Sequence, residues 1–78
     1  MLIRLKPYDQ IPEKDLTKDG AVRGTAKHIW FDGVDRGILH AEESDHEGFL
    51  QINIQEIYPS IDKFGKLYIH EDHVVKLT

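Results

Sequence analysis

The chain has 78 residues, 14 acidic and 10 basic, for a formal charge of -4, and this describes one small domain: at such a size folding hides only about 60–65% of the unfolded surface. Cysteine is absent, which excludes disulfides, thiolate metal sites and cysteine nucleophiles together, and makes a reducing cytoplasm the expected setting. Lys and Arg are scattered from Arg4 to Lys76 without a run, which disfavours nucleic acid as the partner, and no apolar stretch nears the roughly 20 residues that cross a bilayer.

The N-terminal MLIRLKPYDQ lacks the apolar run and small-residue cleavage site of a secretory signal. Within it, Leu2–Lys6 is a short strand candidate. Pro12–Lys18 (PEKDLTK) is the one stretch that could make a helical turn, and an α+β reading with a helix around Ile11–Lys18 competes with a loop there. Ala21–Phe31 reads as extended but broken by Gly24, which suggests a bulge or bend. The glycines after acids, at Asp19-Gly20, Asp32-Gly33 and Glu47-Gly48, read as turns.

Arg36–Glu42 is a weak strand candidate, and Phe49–Ile57 the best one. In FLQINIQEI, Leu50, Ile52 and Ile54 fall on one face, and Gln51, Asn53 and Gln55 on the other. Lys66–His70 repeats the pattern, with Leu67 and Ile69 opposite Lys66, Tyr68 and His70. Five short strands with tight turns predict an all-β fold, a small five-stranded barrel spanning residues 1–78 as a single domain.

The closing segment YIHEDHVVKLT resembles the end of an SH3-type barrel, where a short 3₁₀ turn leads into a last strand. His70–His73 (HEDH) would be the turn, Val75 and Leu77 the inward pair, and Val74 and Lys76 outward. The long polar loop from Pro7 to Asp19 would match the long loop between the first two strands. The resemblance implies an SH3-like fold, and fold does not imply function. Peptide-binding SH3 domains carry an acidic-aromatic motif and a tandem tryptophan. Here Leu5-Lys6-Pro7-Tyr8-Asp9 offers one tyrosine and Trp30 is the only tryptophan, so no family binding residue carries over. In general character the chain is also similar to small proteins of phages and mobile elements, a likeness that no motif carries.

Two clusters could hold a cation. His70 and His73 flank Glu71 and Asp72 at a spacing that can chelate zinc from a 3₁₀ turn, yet a site needs three or four ligands. A polar turn with Asp72 capping main-chain donors needs no metal. The group His40, Glu42, Glu43, Asp45, His46 and Glu47 lacks the D-x-D-x-D-G calcium signature and reads as a solvated hairpin tip. Ser44 and Ser60 stand outside any G-x-S-x-G setting, and no phosphate loop or dinucleotide fingerprint occurs. No catalytic residue and no cofactor are therefore assigned. The aromatics remain. Trp30 and Phe31 are neighbours and would face opposite ways in a strand, and Tyr68 lies off the Leu67/Ile69 face. Together with Tyr58, they are the expected anchors of a non-catalytic module that docks a protein partner. A nucleic-acid-binding barrel and a His/carboxylate metal-binding protein are the alternatives.

Overall fold

β1 (Leu2–Leu5) turns Ile3 and Leu5 into the core and Arg4 outward, the period-two pattern of a half-buried strand. The computed structural model describes all 78 residues. In it β1 lies between β2 (Leu39–His40) and β6 (Val74–Lys76), antiparallel to both. A second antiparallel sheet holds β3 (Glu42–Glu43), β4 (Phe49–Asn53) and β5 (Lys66–His70), in that order. β2 and β3 are pieces of one stretch. Buried Ala41 sits between them, its N–H donating to Met1 O at 2.8 Å, and there the chain leaves the first sheet for the second. The return passage is the 3₁₀ turn Glu71–His73, which links β5 to β6.

The five-stranded barrel expected from the sequence does not form. Six short strands make two separate three-stranded sheets with no closed barrel, and one helix lies in the chain between β1 and β2 of the first sheet, so the class is mixed α/β. Strand length is the cause. β2 and β3 have two residues each, too few main-chain groups to carry one ladder round a closed wall. β4 stops at Asn53 rather than running to Ile57, because Asn53 Oδ1 accepts from Gln55 N–H at 3.0 Å and caps a 3₁₀ turn over Ile54–Glu56. The final strand also differs from expectation: Val74 is buried, while Val75 and Leu77 are 45% and 42% exposed.

The helix α1 (Lys27–Arg36) occupies residues read as extended. Asp32-Gly33, read as a turn, lies in its middle. Ile29, Trp30, Gly33 and Val34 form one face by helical spacing; Trp30 and Gly33 are buried and Ile29 and Val34 half-buried. Gly33 is there for closeness. A Cβ at that position would stand 2.5 Å from Leu5 Cδ1 and 3.2 Å from Ile57 Cδ1, so any side chain there must push the Leu5 tip aside for α1 to lie this near β1. Gly37, at φ +83°, ends the helix, its N–H donating to Val34 O. Between the layers the core joins Ile3, Leu5 and Leu39 to Leu50, Ile52 and Ile69, with Trp30 fully enclosed among them. The segment Pro12–Lys18 contributes a single 3₁₀ turn at Glu13–Asp15, not a helix.

Candidate partner-docking site

β5 is an edge strand, and its register says which of its atoms are free. Glu71 N–H donates to Gly48 O at 2.9 Å and Ile54 N–H to Gly65 O at 2.8 Å, bracketing the β4–β5 pairing. Antiparallel alternation then gives the main-chain groups of Leu67 and Ile69 to β4. Those of Lys66 and Tyr68 point the other way, where no strand pairs and no loop hydrogen bond reaches them, as does the His70 N–H, while the His70 carbonyl caps the Glu71–His73 turn.

Beside this edge opens a cavity of about 440 Å³. Val22, Trp30 and Ile69 give it an apolar lining, Tyr68, Phe49 and His70 belong to the β4–β5 side, and Lys14 and Arg23 to the loop side. Phe49 and His70 are cross-strand neighbours packed edge to face, ring centroids 5.1 Å apart, and His46 stacks on Tyr68 likewise at 5.4 Å. Phe49 and Tyr68 keep 38% and 43% of their surface exposed.

The four aromatics singled out from the sequence do not form one patch. Trp30 has no exposed surface and donates from Nε1 to Lys6 O at 2.9 Å, so it is a core residue that backs the cavity and cannot itself anchor a partner. Phe31, 64% exposed, stands on the outer face of α1. Tyr58 is half-buried and donates to the Asp32 carboxylate on α1; that bond first, then burial, pushes its hydroxyl pKa up to about 12. It lines a separate shallow groove with Asp35 and Arg36. Only Tyr68 lies on the open edge. Phe49 was missed, although its parity opposite Leu50 was a usable signal. Lys14, Asp15 and Arg23 carried no signal, since loops bring them to the cavity.

The HEDH turn uses its two histidines separately. His70 Nδ1 accepts from Asp72 N–H at 3.1 Å and so caps its own turn. His73 is buried, edge-on to Trp30, and its Nε2 donates to Asp15 Oδ2 at 3.1 Å. No three His, Asp or Glu side chains of the chain converge on a point that could hold a metal ion. At the other cluster, Ser44 Oγ accepts from His46 N–H and donates to Phe49 O, each at 3.0 Å, lacing the hairpin tip, and His40 N–H donates to Glu56 Oε1 at 2.8 Å.

The Asp15 carboxyl is held below its ordinary pKa, first by the hydrogen bond from His73, with burial opposing and the charges of His73, Lys14 and His70 assisting. A depressed carboxylate contributes stability above its unfolded value, about 3.9, and loses it as pH falls through the lower folded value. Asp15→Ala is therefore expected to melt several degrees below wild type at pH 7, leaving His73 Nε2–H buried without a partner. The gap should close as pH drops below about 4. Calorimetry of both proteins across that range checks this, and a gap that stays constant with pH contradicts it.

No family model, no curated protein and no solved structure matches the chain.

Proposed function

We propose that this protein is a non-catalytic binding module of the cytoplasm that takes an extended segment of a protein partner along the free edge of β5. The observation that carries this reading is the unpaired run of main-chain groups at Lys66 and Tyr68, continued by the His70 N–H, beside an apolar-lined cavity. Strand addition gives affinity through the main chain and selectivity through alternate side chains, for which the cavity and the Phe49/Tyr68 shelf are suited. An exposed edge is otherwise a liability that proteins blunt, and here one lysine, Lys66, is the only charge on the strand that does so.

Proline provides the test. Tyr68→Pro removes a donor that β4 does not use, so the ladder survives, whereas Leu67→Pro removes one that β4 does use. Peptides selected from a random displayed library on the wild-type protein are expected to bind Tyr68→Ala more weakly. Binding to Tyr68→Pro should fall at least about tenfold, with its melting temperature within a few degrees of Tyr68→Ala. Selected peptides that bind a folded Tyr68→Pro as well as wild type would remove the strand-addition reading.

A further inference from the structure

The outer face of the β2–β1–β6 sheet is apolar where the alternation of a half-solvated antiparallel sheet calls for polar side chains. Its register shows the arrangement. Leu2 lies opposite His40 and, through the bond from Leu77 N–H to Leu2 O at 2.8 Å, beside Leu77. One row along, Arg4 lies opposite Val75, and the same register brings Ile38 to its other side. Ile38, Val75 and Leu77 are 54%, 45% and 42% exposed and Leu2 is half-buried, so aliphatic side chains enclose one exposed arginine and stand open to solvent. The second sheet obeys the rule, with Gln51, Asn53 and Lys66 on its outer face. The charge on the first face has one sign. Arg4 enters no ion pair, since Lys76 with Glu71 is the only lysine or arginine bridge in the chain. The one acid bonded to any of these residues is Glu56 at the rim, whose Oε1 accepts from His40 N–H at 2.8 Å. A second copy of the chain does not fit such a face. A two-fold axis would lay Arg4 over Arg4 or Leu2 of the other copy, stripping water from a cation with no acid to meet it.

We infer that this face docks an amphipathic helix of a protein partner, a helix whose buried side is aliphatic around one aspartate or glutamate that meets Arg4. The dimensions agree. Three strands about 4.8 Å apart span about 10 Å, the width of a helix. The two rows stand about 6.5–7 Å apart, close to the rise of about 6 Å between helical residues i and i+4. A carboxylate over Arg4 therefore sets an aliphatic residue over Leu2, with the flanking Ile38, Val75 and Leu77 covered from the same helix. Contiguous apolar surface of this kind marks an interaction site, unlike aliphatic residues exposed singly. The face belongs to the other sheet from β5, and the inference does not depend on what the β5 edge binds.

The test uses fluorescein-labelled, alanine-based helical peptides with leucine at i−4, i−3, i+3 and i+4 around one variable position i, which carries glutamate, glutamine or lysine. Anisotropy reads binding. Wild type is expected to bind the glutamate peptide about tenfold more tightly than the lysine peptide. Arg4→Gln should flatten that preference and Arg4→Glu invert it, while Leu77→Ser should weaken every peptide alike. Arg4 and Leu77 are exposed, so these variants should melt within a few degrees of wild type. Tyr68→Pro, changed on the other sheet, should bind as wild type does. Amide shifts of labelled wild-type protein give a second reading, because the glutamate peptide should move Leu2, Ile38, Val75 and Leu77. Equal binding of the glutamate and lysine peptides, shifts centred elsewhere, or no binding at all overturns the inference. So does self-association in sedimentation that Leu77→Ser abolishes, which would make a second copy the occupant.

Discussion

Trp30→Ala is expected to remove a large share of the protein's stability. Trp30 has no exposed surface, its Nε1 holds Lys6 O, and its ring meets the edge of His73. Truncating such a side chain costs about 3–5 kcal/mol. A domain of this length has on the order of 4–12 kcal/mol in total. The loss is also not local, because Trp30 ties α1 to the segment after β1 and to the turn before β6. Trp30→Phe keeps much of the volume but leaves Lys6 O without its donor, so it should fall between the two. Urea unfolding followed by circular dichroism checks the order. A Trp30→Ala protein with a wild-type midpoint would show that the ring is not in the core.

The second large effect is expected at Gly33. Alanine there gains about 1 kcal/mol of helix propensity over glycine but overpacks a closed contact, which costs about 1–3 kcal/mol. The two nearly offset, and Gly33→Ala should be mildly destabilising. Valine adds two more methyl groups against Leu5 and Ile57, both buried, and Gly33→Val should lose about 3 kcal/mol or more. Leu5→Ala in the same chain opens the space that valine needs. The double variant should therefore be more stable than the sum of the two single losses implies, with a coupling of about 0.5–3 kcal/mol. Strict additivity in urea melts would mean that Gly33 does not touch Leu5.

These two residues also mark where the sequence could and could not be read. Alternation located β4 and β5 well, since Leu50, Ile52 and Ile69 are buried where their parity puts them. The 3₁₀ turn over Glu71–His73 and a strand after it were legible as well, from a polar tetrad followed by Val-Val. The helix was not. Its 3.6-residue stripe of Ile29, Trp30, Gly33 and Val34 was present, but glycine counts as a breaker when propensity is weighed and as a contact residue only when the opposite wall is known. Asp32-Gly33 has the composition of a turn and the position of a helix–strand contact. Closure into a barrel could not be judged from pattern, because it depends on how many residues of Arg36–Glu42 stay paired, and a two-residue piece on each side of Ala41 is a packing outcome. The site divides in the same way. Tyr68 and Phe49 follow from strand parity, whereas Asp15 reaches His73 across a separation of 58 residues, and no local pattern encodes that.

The placing of β1 between β2 and β6 bears on when the fold is completed. The β4–β5 ladder begins at Asn53 opposite Lys66 and can zip from a local loop. β1 instead pairs Ile3 with Lys76, residues from opposite ends of the chain. Loop closure costs about 0.6 kcal/mol per doubling of length, so the second pairing carries on the order of 1.5 kcal/mol more entropy than the first. The β3–β4–β5 sheet is thus the natural early structure, and the first sheet a late one. During synthesis Ile3 and Leu5 have been made long before β6 exists to pair with them. For that interval the most apolar strand of the protein's first half stands open on its β6 side, a period of exposure to chaperones and to self-association that the finished fold conceals.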